Sequence, residues 1–454
     1  MSDRPNILFI FDDQHRYDFL GAAGADFINT PNIDRLAERG VRFSQCVTNC
    51  PVCAPARIGL AAGLQPCTIG SLDNHSYLPR SAMTYYQRLR DHGYRVGCVG
   101  KLDLAKPDSY NGRHGDRPCV FGWGFTHPEE CEGKMHAGSS PTPLGPYGFW
   151  LEEQGLYEAF YEDYQRRRKT GWVKDASHDS VLPTEAFEES YIARHAVEWL
   201  EQVDDDFPWH YFVSFVGPHD PFDPPTEYAK RYRGAEMPPA IEDSLEDKPE
   251  WVRRQRLDLS DDEVAVTRRQ YCAIIELIDD AVGRMVDVLQ RRGLLENTVI
   301  VFASDHGEML GDHGLYKKSL PYEAAVRVPL VMAGPGVEPA DASGALVELI
   351  DLNPTLCELA GLPPQEGIEA RSFASVLRGE AVEHRAEAVS AIRQFRLIRT
   401  RTHKLIEHYN AGLELFDLES DPEERHNVAD EDRARARELR RRMVARYNER
   451  KWRR

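Results

Sequence analysis

Three short runs of consecutive apolar residues punctuate the chain: "NILFIF" (6–11), "YFVSFV" (211–216) and "TVIVFA" (298–303). Runs of this length without polar alternation read as strands buried on both faces, as in a parallel sheet. Between them the pattern changes to a helical period. "SDDEVAVTRRQYCAIIELIDDAVGRMVDVLQRRG" opens on the capping pair Ser260 and Glu263, carries apolar residues at 271, 274, 275, 278, 282 and 285, and stops at Gly293. It feeds directly into the third run. "NTPNIDRLAERG" and "MTYYQRLRDHGYRVGCVG" repeat the same helix-to-strand succession. The prediction is an α/β fold with a large, mainly parallel central sheet flanked by helices. Beyond about residue 385 the pattern gives four short strands with turns and then a basic helix, 433–454. This predicts a catalytic domain over 1–385 and a small C-terminal α+β subdomain with a short antiparallel sheet over 386–454. Residues 107–185 and 241–259, rich in Gly and Pro or in acidic residues, read as long loops over the sheet edge.

Each apolar run ends on polar residues: Asp12, Asp13 and Gln14 after the first, His219 and Asp220 after the second, Asp305 and His306 after the third. Ligands of open α/β sheets gather at the carboxyl ends of strands, so these distant clusters are expected to meet at one edge. A single Asp after a strand is an ordinary turn starter. Three such endings carrying metal-ligand types predict a site.

Composition changes the picture in two ways. The formal charge of −18, from 56 basic and 74 acidic residues, argues against general affinity for nucleic acid or anionic lipid. An anionic ligand would need local cations. Nine cysteines, an odd number in a chain of 454 residues, fit reduced thiols better than a disulfide framework. No apolar run is long enough to cross a bilayer, and the start "MSDRPNILFIFDD" lacks the charge and apolar pattern of a secretory leader, so a cytoplasmic protein without membrane contact is expected. In the basic helix, Leu439, Met443 and Tyr447 recur every four residues and predict one docked face. The same helix is a candidate contact for a second copy of the chain, a homo-oligomer.

The densest chemistry lies in "QCVTNCPVCAPARIGL", where Cys46, Cys50 and Cys53 fall within eight residues. Read by spacing, the three thiols match an iron–sulfur loop of the radical S-adenosylmethionine type. That reading leaves Pro55, Arg57 and the strand-end clusters without a role. Read as a unit, Cys53-x-Pro55-x-Arg57 followed by "IGLAAGL" resembles the signature of type I sulfatases of the alkaline phosphatase superfamily. "PNILFIFDDQ", "SDHGEMLGDHGLYKK", "PYEAAVRVPLV" and "ELFDLESDPEERHN" resemble the same family in the same order. The resemblance implies an alkaline-phosphatase-like sandwich. It also implies that a maturation enzyme oxidises Cys53 to formylglycine, whose hydrate offers one hydroxyl to attack sulfur and a second to expel sulfate. Pro55 suits the first turn of a helix whose amides face the anion.

The remaining roles follow from the resemblance. Counted from Asn6, the metal positions fall on Asp13 and Gln14, with Asp12 and Asp13 as the alternative pair, and on Asp305 and His306. Such a shell suits calcium, with magnesium or manganese as alternatives. Arg57 is implied to steady the formylglycine, Lys101 and Lys318 to clamp the anion, and His219 to protonate the leaving oxygen. Asn74 and Asp103 are candidate substrate contacts. Asp103 stands where sulfatases carry a histidine, and phosphonate monoester hydrolases and phosphodiesterases vary in this segment and share the Asp-Gln and Asp-His pairs. The expected function is therefore hydrolysis of a sulfate monoester, on a sugar or another small molecule. The alternatives are phosphonate monoester or phosphodiester hydrolysis by the same machinery, or binding without turnover. A sugar sulfate, a choline-type sulfate and an aryl sulfate would all use the same inner residues.

Overall fold

In the computed structural model, which describes residues 4–171, 173 and 177–448, the first apolar run forms β1 (Asn6–Asp13), buried along its whole length. Alternate side chains enter different cores. Ile7, Phe9 and Phe11 pack on one side of the sheet, Leu8 and Ile10 on the other. A strand with two apolar faces needs an unbroken apolar sequence, which is what the run supplies. The other strands of the large sheet are β2 (Gly40–Val47), β3 (Arg95–Gly100), β4 (His127–Glu130), β5 (Trp209–Pro218), β6 (Thr298–Ser304), β7 (Leu330–Ala333) and β8 (Ala340–Glu348). They lie in the order β4-β3-β5-β1-β6-β7-β2-β8. Every pairing is parallel except the two made by β7.

Helices cover both faces. Helix Cys53–Ala62 lies in the core of Phe9 and Phe11 through Ala54, Ala56, Ile58 and Leu60. On the opposite face, helix Asp261–Arg291 contributes Ile274, Ile278, Val282 and Met285, beside helix Glu188–Gln202. Its start has the predicted reciprocal cap, Ser260 accepting from the Glu263 amide and Glu263 from the Ser260 amide. Such a cap contributes about 1 kcal/mol. The architecture is the α/β fold with a mainly parallel, helix-flanked sheet that the patterning predicts.

The second sheet is an antiparallel meander of β9 (Ala388–Ala391), β10 (Phe395–Arg399), β11 (His403–His408) and β12 (Gly412–Asp417). Helix Arg433–Asn448 packs on it through Ala436, Leu439 and Met443. The Tyr447 hydroxyl donates to the Ser390 carbonyl at 2.9 Å. Its arginines pair with this chain's own carboxylates, Arg440 with Glu407, Arg442 with Glu387 and Arg446 with Glu348. Residues 449–454 of the expected basic helix lie outside the described residues.

One expectation needs correction. Residues 107–185 are not simply loops: they contain the edge strand β4 and helices Pro146–Glu153 and Tyr157–Thr170. Tyr157, Phe160 and Tyr164 are buried at helical spacing, so the aromatic content that suggested irregular structure is a packing face. Among the described residues no helix is long and apolar enough to cross a membrane.

Candidate active site

The strand order β3-β5-β1-β6 puts four carboxyl ends side by side. Lys101 follows β3, His219 and Asp220 follow β5, Asp13 ends β1, and Asp305 with His306 follows β6. Register fixes their level: Asp12 lies beside Ser304, and Asp13 beside Pro218. Helix Cys53–Ala62 approaches this edge with Cys53 as its first residue and Val52 as an extended N-cap that provides no side-chain cap. The helix therefore begins with amides and the positive end of its dipole turned toward the acidic strand ends. Asn74 meets it there, its Oδ1 accepting from the Ala54 amide at 3.2 Å.

The Cys53 Sγ lies 3.2 Å from His306 Nε2 and 3.6 Å from Asp13 Oδ1. Arg57, one turn further along the helix, is buried and engaged at each nitrogen. Its Nε donates to Asp305 Oδ2 at 2.8 Å, Nη1 to the Lys101 carbonyl at 2.6 Å and to Ser214 Oγ at 2.7 Å, and Nη2 to Asp13 Oδ2 at 3.3 Å. Lys101 Nζ donates to Asp13 Oδ2 and stands 3.3 Å from Asp103. Lys318 Nζ contacts both Gln14 Oε1 and His219 Nε2. The His219 Nδ1 faces Asp220, 2.6 Å from its carbonyl oxygen and 3.2 Å from Oδ1, so Nε2 is turned toward Lys318.

Charge sorts the cysteines. Burial and the Asp13 charge oppose a thiolate at Cys53, but Lys101, Lys106 and Lys318 outweigh them and hold this thiol well below the ordinary cysteine range. Burial pushes the thiols of Cys46 and Cys50 well above that range. Neither joins the ligand group around Cys53. Cys53 is thus grouped with two carboxylates and an imidazole and not with the other two thiols, which disfavours a three-thiol iron–sulfur centre.

Asp13, Cys53, Asp305 and His306 each bring one ligand-type atom within 4.8 Å of the others, all buried. Burial opposes ionisation of Asp13, yet Lys101, His219, Arg57 and Lys318 hold its carboxyl well below the usual range, while burial and the Asp13 charge push Asp305 up. Two close buried carboxylates and an imidazole form a donor set that fits a hard divalent cation. Gln14 sits at the edge of this group with a left-handed backbone (φ 73°). Its amide oxygen faces Lys318, and its amide nitrogen faces Asp220 and Glu308. Asp12 points the other way, its carboxylate held by His15 Nδ1 at 2.7 Å. Asp13, common to both pairs the sequence leaves open, lies on the cysteine side, and the Gln14 backbone amide donates to Asp305 Oδ1 at 3.0 Å.

All eleven candidate residues thus gather at or beside one strand edge, with Asn74 and Asp103 at its margin. Sequence reasoning missed several others. Ser214 anchors Arg57, and Glu308 braces Gln14, burial pushing its carboxyl up to about 7. Lys106 pairs with Asp103. Glu308 stood in the motif "SDHGE", whereas a lysine three residues after an aspartate carries no distinguishing signal.

Comparison with known proteins agrees with this geometry. Residues 5–362 match the sulfatase family model, and residues 311–451 match that of the N-sulphoglucosamine sulphohydrolase C-terminal region. The choline-sulfatase of Rhizobium meliloti (strain 1021) is 32% identical over 95% of this chain and 83% of its own length. The phosphonate monoester hydrolase of Agrobacterium radiobacter superposes with a TM-score of 0.83 at 24% identity, covering 98% of this chain and 95% of its own. A protein solved with its substrate D-glucosamine-2-N,6-O-disulfate gives 0.79 at 22% identity, covering 99% of each chain. The chain belongs to the sulfatase family of the alkaline phosphatase superfamily. It is a hydrolase acting on sulfuric esters.

Proposed function

We propose that the chain hydrolyses a sulfate monoester with Cys53, matured to formylglycine, as nucleophile. The observation that carries this reading is electrostatic. Among the nine cysteines, all within the described residues, Cys53 alone is lowered, and it alone stands at a helix start among three lysines, two ligand carboxylates and an imidazole. Maturation by a formylglycine-generating enzyme replaces the thiol with an aldehyde, whose hydrate supplies the attacking hydroxyl. Asp13, Asp305 and His306, with Gln14 adjacent, would hold a divalent ion, which would supply Lewis-acid polarisation of the ester; calcium suits the oxygen-rich set, with magnesium or manganese as alternatives.

Lys101 and Lys318 both lower the Cys53 thiol through their charge and balance the charge of the bound anion. Arg57 acts as a positioning residue, because four of its five N–H donors are already given to Asp13, Asp305, Ser214 and the Lys101 carbonyl. Asp220 orients His219 so that its Nε2 can deliver a proton to the departing alkoxide. Asp103 occupies the place of the family's histidine and receives the proton released when sulfate is expelled. Burial opposes its ionisation, but Lys101 and Lys106 hold its carboxyl below the ordinary range, so it is ionised at neutral pH.

General-acid catalysis is worth roughly 10²–10⁴-fold. His219→Ala is therefore expected to slow alkyl or sugar sulfates by about that factor and 4-nitrophenyl sulfate much less, because nitrophenolate leaves without a proton. Equal losses on both substrates would remove His219 from this role.

A second reading, phosphonate monoester or phosphodiester hydrolysis, is favoured by Gln14 and His306 in the metal positions. The deciding experiment compares 4-nitrophenyl sulfate with 4-nitrophenyl phenylphosphonate on matured protein. The sulfatase reading expects kcat/KM on the sulfate to be higher by tenfold or more, on the order of 1.4 kcal/mol in transition-state binding. The reverse order selects the phosphonate reading.

A further inference from the structure

Beside the nucleophile lies a cleft of about 510 Å³, well within the range of roughly 300–1,000 Å³ usual for small-molecule sites. Its inner wall includes Val52 and Ser319, the sequence neighbours of Cys53 and Lys318, together with Asn74. The outer wall comes from elsewhere: Gln255 and Trp251 from the segment 241–259, and Arg393 with Gln394 from the turn between β9 and β10. Arg393 ties the two walls together, its Nε donating to Asp73 Oδ2 at 2.6 Å. Among the described residues its two terminal nitrogens have no hydrogen-bond partner, and the side chain is 67% exposed.

The lining discriminates between leaving groups. A quaternary ammonium seeks several aromatic faces and an unpaired carboxylate. Trp251 is the only Phe, Tyr or Trp on the described lining, and its ring is stacked over Phe395 at 6.3 Å. Asp73 is the only carboxylate on the described lining, and it is taken. It accepts from Arg393 and from the His75 amide. What remains is a set of amides and a guanidinium fork with free donors, which suits hydroxyls and an oxyanion.

We infer that this cleft receives the leaving group of the ester, that the leaving group is a saccharide, and that Arg393 with Gln394 binds a second anionic substituent on it. The inference rests on the sulfatase reading above and concerns only the part of the substrate beyond the sulfate being cleaved. It separates this chain from its choline-sulfatase relative by substrate class. The second anion is a carboxylate or another sulfate, both of which present paired oxygens to a guanidinium.

The test measures sulfate release by matured protein from five esters: N-acetylglucosamine 6-sulfate, glucosamine 2-N,6-O-disulfate, glucuronate 2-sulfate, choline sulfate and 4-nitrophenyl sulfate. At least one doubly anionic saccharide is expected to exceed N-acetylglucosamine 6-sulfate in kcat/KM by about tenfold, and which one does so identifies the second anion. Arg393→Gln should bring that ratio close to one. Asp73→Asn, which breaks the tie between the walls but keeps the guanidinium, should preserve it. A preference for choline sulfate, a ratio unchanged in Arg393→Gln, or equal loss in both variants overturns the inference, the last because Arg393 would then act only by holding the loop. Failure on 4-nitrophenyl sulfate as well would indict the sulfatase reading itself. Turnover of that ester with no preference among saccharides sinks the saccharide assignment alone.

Discussion

Cys53→Ala is expected to abolish sulfate-ester turnover, lowering kcat by roughly 10⁴-fold or more, the scale on which a covalent nucleophile's removal is felt. The side chain stands 3.2 Å from His306 Nε2 and 3.6 Å from Asp13 Oδ1, so an alanine leaves the bound anion facing a methyl group. Binding should survive, because Lys101 and Lys318 are untouched. Single-turnover kinetics with 4-nitrophenyl sulfate measure the loss, and equilibrium competition by a slowly hydrolysed sulfate ester measures the retained affinity. A variant that turns over within tenfold of the matured protein would show that the chemistry runs through another group.

The second large effect concerns stability. Arg57 is buried against Asp13 and Asp305, which are themselves fully buried. Removing Arg57 takes the guanidinium from buried Asp305 and leaves Asp13 to Lys101, and breaking a buried ion pair on one side costs about 3–5 kcal/mol. Arg57→Ala should therefore lower the unfolding free energy by that amount in the presence of a chelator. The deficit should shrink when calcium is supplied in millimolar excess, because a dication among the same carboxylates restores the missing positive charge and binds the folded state. Denaturant unfolding with and without calcium gives both numbers. Stability unaffected by the substitution, or a deficit that calcium does not reduce, would mean that Arg57 and the cation do not share these carboxylates.

The legible part of the fold was its most buried part. β1, β5 and β6 sit in the middle of the sheet with both faces covered, so their sequences had no choice but to be continuously apolar, and their polar ends marked the site edge. β4 was invisible because an edge strand reading "HPEE" carries no apolar pattern. Helix Tyr157–Thr170 was hidden differently: its apolar face is made of tyrosines and a phenylalanine inside a Gly- and Pro-rich region, and composition masked the period.

At the site, the motifs located the inner residues but could not say which way each pointed. Beside Asp13 the motifs leave Gln14 and Asp12 as alternatives, and only the sheet reveals that Asp12 faces His15 while Asp13 faces Cys53. The resemblance implies only that Arg57 steadies the formylglycine. The packing shows its donors spent on two carboxylates, a serine and a carbonyl, a division of labour no spacing rule encodes. The cleft was equally unreadable, since Val52, Asn74, Trp251 and Arg393 come from four separated segments.

The most direct measurement is the mass of the peptide containing Cys53, taken from preparations of graded specific activity. Conversion of the thiol to an aldehyde lowers that mass by roughly 18 Da, and the account predicts that activity rises in proportion to the converted fraction. Full activity in a preparation whose peptide carries only the unmodified thiol would contradict it.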